Sequence, residues 1–176
     1  MRKIKNEELQ RISIDEFKSS DKNPVILILD NIRSLNNVGS AFRTSDAFMV
    51  EKIYLCGITG IPPHRDINKT ALGATDSVDW EYQKNTLDAI SKLKQDGWQI
   101  IAVEQAEKSL SLEKFEPQKD EKYCFVFGNE VFGVDQEVVD ASDACLEIPQ
   151  FGTKHSLNIS VSIGVVLWHY VNKICF

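Results

Sequence analysis

A dense run of polar side chains lies near the C-terminal end of the chain, in the segment PQFGTKHSLN (149–158). It contains Lys154, His155, Ser156 and Asn158, and an apolar run follows it directly. A serine beside a histidine suggests a hydrolytic nucleophile, but Ser156 lacks the G-x-S-x-G setting and an adjacent histidine would point elsewhere. Ser156 also fits a helix N-cap, and the lysine and histidine fit a solvated loop, so this segment alone leaves its chemistry open.

Two further segments carry polar groups at spacings that suit a ligand. In NNVGSAFRTSD (36–46), Asn37 and Arg43 flank a glycine at the start of a predicted helix, although each alone also fits a cap or a solvated side chain. In GNEVFG (128–133), glycines flank Glu130 after a strand-like run, so the backbone can approach a ligand and offer it N–H groups. Neither the P-loop nor the G-x-G-x-x-G dinucleotide pattern is present.

Apolar runs predict the strands that position these segments. The runs are near-continuous rather than alternating, which is typical of strands buried on both faces of a parallel sheet. They occupy 25–29, 52–58, 98–103, 124–128 and 144–148. Helical patterns between most of them predict an α/β fold, with a parallel sheet flanked by helices. Ligands bind beyond the carboxyl ends of such strands, and all three polar segments follow a strand in this way.

Three helical stripes complete the predicted architecture. The first contains Val38, Ala41, Phe42, Ser45 and Phe48, and the second contains Leu87, Ile90 and Leu93 and is closed by Gly97. The first stripe leaves Arg43 off the apolar side of its helix. The last helix is predicted to begin near Ser156 and to carry Val161, Val165 and Trp168 inward.

Composition limits the class of protein. The chain has 176 residues, of which 43% are apolar and 26% charged, so we expect a polar leader over 1–22 with one short helix and one domain over 23–176. The longest apolar run is too short to span a membrane and no secretory signal is recognisable, which predicts a cytoplasmic protein. The cysteines lack metal-binding spacing, which predicts a protein without a metal. A net charge of −6 disfavours non-specific nucleic-acid binding by the whole surface, but a local basic groove stays open.

Taken together and in this order, the three polar segments resemble a known family. DNIRSLNNVGSAFRTSDAF, GNEVFG and IPQFGTKHSLN are similar to the three signature motifs of the SpoU (TrmH-like) RNA 2′-O-ribose methyltransferases of the SPOUT superfamily, and the resemblance covers about residues 25–172. It implies S-adenosyl-L-methionine as methyl donor and a C-terminal deep trefoil knot over roughly 123–165. It also implies a homodimer with the last helix at its interface, where Trp168 and Tyr170 are either anchors or parts of the intrachain core.

The same resemblance implies roles for individual residues. The catalytic positions of the family match Arg43, Asn37, Glu130, Ser156 and Asn158. The cofactor-binding positions correspond to Gly128, Ile148, Leu157 and Glu104. Because a guanidinium stays protonated in proteins, we expect the arginine to act mainly through its charge, on the phosphate and the developing alkoxide.

RNA binding is expected from local positive charge. PPHRDINK is predicted to bring its basic residues together in one loop, with two more to extend the patch; the five are Arg33, His64, Arg65, Lys69 and Lys154. The expected substrate is a ribose in tRNA or rRNA. Three alternatives stay open at this point: an inactive RNA-binding module of the same fold, a SPOUT enzyme that methylates a base, and an unrelated nucleotide-binding α/β protein.

Overall fold

A seven-stranded parallel sheet forms the centre of the structure, a computed structural model that describes residues 1–176. The strands are β1 (Asn23–Asp30), β2 (Val50–Cys56), β3 (Asp79–Gln83), β4 (Gln99–Val103), β5 (Leu110–Ser111), β6 (Tyr123–Phe127) and β7 (Ala144–Glu147). Their order across the sheet is β3-β2-β1-β6-β4-β7-β5, and every pairing is parallel. The carboxyl ends of β4, β6 and β7 therefore meet at one edge of the sheet.

Helices cover the sheet and connect its strands. They are α1 (Ile14–Ser19), α2 (Leu35–Ala47), α3 (Arg65–Ala71), α4 (Ala74–Ser77), α5 (Thr86–Gln95), α6 (Gln136–Ala141) and α7 (Ile159–Cys175). Short 3-10 helices add Asn6–Glu8 and Leu112–Lys114. No helix of the structure combines the length and the apolar character that crossing a membrane requires.

The central strands are buried on both faces, which explains their near-continuous apolar sequences. In β1, Val25, Leu27 and Leu29 belong to a larger core beneath α2 and α7. The alternate residues Ile26 and Ile28 belong to a smaller core beneath α5 and α6. The predicted parallel sheet flanked by helices is therefore confirmed.

All five predicted strands are present, but two others were not expected. β3, with the sequence DWEYQ, is an edge strand with partly exposed residues, so its apolar signal is weak. β5 has two residues and pairs only with β7. The predicted apolar sides of α2 and α5 are correct, and Gly97 follows α5 with a φ of +81°.

The prediction for the last helix was wrong in its start and its orientation. Helix α7 begins at Ile159 with Asn158 as its N-cap, rather than near Ser156. The predicted inward residues are instead exposed, Val161 by 50%, Val165 by 36% and Trp168 by 53%. The buried side consists of Ile159, Ile163, Val166, Leu167 and Tyr170. The helix is apolar on both sides, so periodicity alone could not select the one that faces the sheet.

Tyr170 is part of the intrachain core and not an interface anchor. Its side chain is fully buried and packs edge-to-face against Tyr123 and Phe125 on β6. Within residues 1–22, Ser13 and Glu16 form a capping box at the start of α1. This helix inserts Phe17 into the larger core.

Candidate functional site

A cleft of about 560 Å³ lies beyond the carboxyl ends of β4, β6 and β7. Its volume is within the range of small-molecule sites. Three stretches of chain form its walls: the end of β4 (103–105), the loop after β6 (127–133) and the segment from β7 into α7 (146–162). Gly128, Ile148, Leu157 and Glu104 all line it, together with Glu130, Ser156 and Asn158. The structure therefore brings seven of the nine predicted catalytic and cofactor residues to one cleft.

The loop after β6 is held in a fixed shape by its own asparagine. The backbone groups of Asn129 and Gly133 exchange hydrogen bonds of 2.9 and 2.8 Å. The Asn129 side chain accepts from the N–H groups of Val131 and Phe132 at 2.9 and 3.2 Å, and donates to the Asn31 carbonyl at 2.8 Å. Such a closed loop presents a preformed backbone surface to a ligand.

Glycine is required at both ends of this loop. A Cβ atom on Gly128 would lie 2.2 Å from the Gly133 carbonyl carbon, which is closer than any real contact. Gly133 itself has a φ of +73°, and a Cβ there would meet the carboxylate of Glu104 at 2.2 Å. Gly128 is therefore explained by the close approach of the two ends of the loop, and Gly133 by its positive φ beside the Glu104 carboxylate.

Glu130 connects the loop after β6 to the start of helix α2. Its carboxylate accepts from the backbone N–H groups of Arg33 and Ser34, each at 2.9 Å, and from the Asn37 side chain at 3.0 Å. Partial burial alone would raise the pKa of this carboxyl. The three hydrogen bonds outweigh burial, so the pKa lies below the ordinary glutamate value and the group is charged at neutral pH.

Asn158 extends this contact to the third motif. Its Nδ2 donates to Asn37 Oδ1 at 3.3 Å, and its Oδ1 accepts from the backbone N–H of Ser160 at 2.9 Å as the cap of α7. Glu130, Asn37 and Asn158 therefore form a continuous hydrogen-bonded chain. It joins the beginnings of two helices to the cleft loop.

Arg43 lies outside the cleft. Its side chain is exposed and takes part in no hydrogen bond or ion pair of the structure. It lies six residues after Asn37 on α2, or about 9 Å along the helix axis. Helix α2 packs against α7, and the ring of Phe48 near its end lies 6.3 Å from that of Trp168. Arg43 therefore belongs to a helix that borders the exposed apolar side of α7.

The basic residues predicted to bind RNA are all exposed, but their setting differs from the prediction. Residues Arg65 and Lys69 lie on α3, with His64 as its N-cap, rather than in one loop. This helix packs closely on α2, because a Cβ on Gly39 would lie 2.2 Å from the Ile67 carbonyl oxygen. Arg33 and Lys154 lie in the segments before α2 and before α7.

The cleft also contains residues to which the sequence analysis assigned no role, among them Gln105, Asn129, Phe132 and His155. Asn129 and Phe132 lie inside the G-N-E-x-x-G segment, so their position could have been inferred from that pattern. Gln105 lies in no motif, and its one signal is its position after the carboxyl end of a predicted strand. No group of three or more His, Cys, Asp or Glu side chains in the structure has an arrangement that could hold a metal ion.

Known proteins resemble the chain over most of its length. The sequence profile of the SpoU rRNA Methylase family matches residues 24–168. The 23S rRNA (guanosine-2'-O-)-methyltransferase RlmB of Neisseria meningitidis serogroup B is 29% identical over 153 residues, which are 87% of this chain and 60% of that protein. The tRNA (guanosine(18)-2'-O)-methyltransferase of Borreliella burgdorferi is 26% identical over 165 residues, 94% of this chain and 74% of the relative.

A solved structure has the same fold. The crystal structure of an AdoMet-bound rRNA methyltransferase from Sinorhizobium meliloti matches with a TM-score of 0.79 and 27% identity. The match covers 93% of this chain and 61% of that one. The chain thus spans less than two thirds of the length of two of these three relatives.

Proposed function

The chain belongs to the SpoU rRNA Methylase family, and from this membership we propose that it transfers a methyl group from S-adenosyl-L-methionine to a ribose 2′-hydroxyl of tRNA or rRNA in the cytoplasm. The observation that carries the proposal is the chain of hydrogen bonds from Glu130 through Asn37 to Asn158 at the cleft. It connects one residue from each of the three motifs. The relatives, a 23S rRNA and a tRNA guanosine 2′-O-methyltransferase, support the reaction class.

The cleft fits an adenosyl group. Its lining includes the apolar residues Val103, Phe127, Leu146, Ile148 and Ile159, together with residues of the loop after β6. We assign Gly128, Ile148 and Leu157 to binding of the adenosine through backbone contacts, and Glu104 to support of the loop. The sulfonium of S-adenosyl-L-methionine supplies an activated methyl group with a neutral leaving group, so neither a metal nor a covalent intermediate is needed.

The residues of the chain then orient the ribose and stabilise charge. We assign to Arg43 the adjacent phosphate and the negative charge that develops at the 2′-oxygen as its proton passes to water, since a guanidinium remains protonated and is a poor base. Asn37, Glu130 and Asn158 hold the loop and the two helix starts in register. Ser156 lines the cleft and is assigned to contact with the nucleotide. Holding the hydroxyl in line with the methyl group accounts for much of the acceleration in such transfers.

We further propose that two copies of the chain form a homodimer through α7. Val161, Val165 and Trp168 form an exposed apolar stripe at spacings of four and three residues. Exposed apolar surface of this kind is typical of subunit interfaces. Because α2 packs against α7, this arrangement would place Arg43 near the second subunit. The trefoil knot over roughly 123–165 and the domain boundary near residue 23 belong to the same proposal.

RNA contacts are assigned to the exposed basic residues around α2 and α3. Arg65 and Lys69 lie on α3 after its N-cap His64, Arg33 precedes α2 and Lys154 precedes α7, and all five are exposed. Phosphate contacts of this kind are local, so the overall net charge of −6 does not oppose them.

Nucleoside analysis by mass spectrometry tests the reaction. Separated tRNA and rRNA are incubated with the protein and methyl-labelled S-adenosyl-L-methionine, with Arg43→Ala as control. A labelled 2′-O-methyl nucleoside that is absent with Arg43→Ala supports the proposal and identifies the RNA class. A label on a base would assign the chain to base methylation instead. Cofactor binding without transfer to either RNA would favour the non-catalytic RNA-binding module.

A further inference from the structure

The loop between β7 and α7 has little hydrogen bonding of its own. Residues 151–158 are all exposed, and residues 148–157 take part in only one hydrogen bond of the structure. In that bond, the Gln105 side-chain amide donates to the carbonyl oxygen of His155 at 2.7 Å. The bonded carbonyl belongs to the residue immediately before Ser156 and Leu157. The Gln105 side chain therefore fixes the segment that contributes Ser156 and Leu157 to the cleft.

Gln105 is itself held in place by its neighbour. The backbone N–H of Gln105 donates to Glu104 Oε1 at 2.8 Å, and the other carboxylate oxygen accepts from the N–H of Val134 at 3.0 Å. Glu104 thus holds the loop after β6, while Gln105 holds the loop after β7. The two residues that follow β4 thus connect both loop walls of the cleft to the sheet.

We propose that Gln105 is a positioning residue that latches the β7–α7 loop and so sets the affinity of the cleft for its adenosyl ligand. The identity of this ligand rests on the proposed function, whereas the latch itself does not. Without the donated hydrogen bond, the loop is tethered only at its two ends and samples open conformations more often. Loss of one neutral hydrogen bond corresponds to about a five-fold change in such an equilibrium.

Limited proteolysis of the ligand-free protein tests the latch directly. The side chain of Phe151 is 97% exposed, so chymotrypsin cleavage after this residue reports the open population of the loop. Cleavage after Phe132, which is 80% exposed in the other loop, is the internal reference. Two variants remove the donated bond: Gln105→Ala, and the isosteric Gln105→Glu, which has no N–H to donate. We expect both to raise the rate of cleavage after Phe151 about five-fold relative to the rate after Phe132.

The matched control is Gln118→Ala. Gln118 is also exposed and its side chain also donates to a backbone carbonyl, that of Glu116 at 3.1 Å, but it lies outside the cleft. This variant is expected to leave both cleavage rates unchanged. Equal cleavage after Phe151 in the parent and both Gln105 variants would overturn the latch.

Calorimetric binding of S-adenosyl-L-homocysteine then tests the link to the cleft. Gln105→Ala and Gln105→Glu are expected to raise the dissociation constant about five-fold, and Gln118→Ala to leave it unchanged. Faster cleavage with unchanged affinity would overturn the positioning role. If the parent protein does not bind this ligand at all, the proposed function fails, and so does the assignment of Gln105 to its affinity, while the latch is still decided by the cleavage rates.

Discussion

The side-chain amide of Asn37 donates to the carboxylate of Glu130 at 3.0 Å, across 93 positions of sequence. The same carboxylate accepts the backbone N–H groups of Arg33 and Ser34, just before α2. A loop of the cleft and the helix that carries Arg43 are therefore fixed to each other by one side chain. In this way the first two motifs form one structural unit although they lie far apart in sequence.

Replacement of Glu130 by glutamine tests this unit. Glu130→Gln removes the charge and one acceptor, and we expect the free energy of unfolding at pH 7 to fall by about 1 kcal/mol, because the site is exposed enough for water to replace part of the loss. The pKa of the parent carboxyl is lowered from the ordinary value of 4.5, so its stabilisation is present above pH 4.5 and is lost as the pH falls through the folded-state pKa. Urea unfolding between pH 3 and pH 7 should show the two proteins converging on acidification; a constant difference would contradict this account.

Asn158 has two separable roles, at the cap of α7 and in the bond to Asn37. Asn158→Ala removes both, and we expect a loss of about 1 kcal/mol in stability, weaker cofactor binding and no detectable methyl transfer. Asn158→Asp keeps a capping oxygen but cannot donate to Asn37. It should retain most of the stability of the parent and still lack activity, as measured by thermal unfolding and transfer of labelled methyl groups. Full activity of Asn158→Asp would show that methyl transfer does not need the hydrogen bond from Asn158 to Asn37.

Arg43 is expected to contribute to the reaction and not to stability. It is exposed and makes no hydrogen bond or ion pair, so Arg43→Ala should leave the melting temperature and cofactor affinity unchanged. Methyl transfer should fall by about 100-fold or more, the scale seen when a charge-stabilising group is removed. Arg11→Ala, at another exposed arginine, is the matched control and should leave the melting temperature, the cofactor affinity and methyl transfer unchanged. Retention of transfer by Arg43→Ala would require another residue to stabilise the alkoxide.

Asp30 is expected to lower stability at neutral pH. It is 1% exposed, and its Oδ2 has no hydrogen-bond partner. Burial raises the pKa of this carboxyl, and the bond from Thr86 offsets only part of the effect. Because this pKa is raised, the charged carboxylate destabilises the folded state at neutral pH. The free energy of unfolding of Asp30→Asn should therefore exceed that of the parent by about 1 kcal/mol at pH 7, and the difference should disappear towards pH 4.

Asp143→Asn is a control for Asp30→Asn, because it should change the free energy of unfolding at pH 7 in the opposite direction. Partial burial would raise the pKa of the Asp143 carboxyl, but hydrogen bonds from Lys94 and the Ile100 N–H lower it overall. This substitution should therefore destabilise the protein at pH 7 and have less effect at low pH. Urea unfolding of both variants at pH 4 and pH 7 decides the question; the same sign for both variants at pH 7 would refute the assignment.

The parts of the fold that were predictable are those set by local patterns. Strands such as β1 and β6 are continuous apolar runs because both faces are buried, and the amphipathic α2 shows its buried side directly. The residues that line the cleft were predictable where they lie in motifs. Gln105 was not, because its role depends on a contact with His155, 50 positions away in sequence. The orientation of α7 also depends on tertiary packing, since both of its sides are apolar.

The exposed side of α7 leads to the last prediction, which concerns assembly. Val165 is 36% exposed in the middle of the apolar stripe, between Val161 and Trp168. If this stripe is the dimer interface, Val165→Lys places two like charges in it and should weaken self-association by at least 10-fold, because an unpaired buried charge costs several kcal/mol. The monomer fold should persist, since the buried side of the helix, which includes Ile163 and Tyr170, is untouched.

Sedimentation velocity of the parent and Val165→Lys over a range of concentrations measures this effect. Glu51→Lys, an exposed charge change on β2, is the matched control and should sediment like the parent. A parent protein that stays monomeric at all concentrations would contradict the homodimer. Because α2 borders the same face, dissociation by Val165→Lys should also reduce methyl transfer if RNA is bound across both subunits. Undiminished transfer by a monomeric Val165→Lys would mean that one chain holds the complete site.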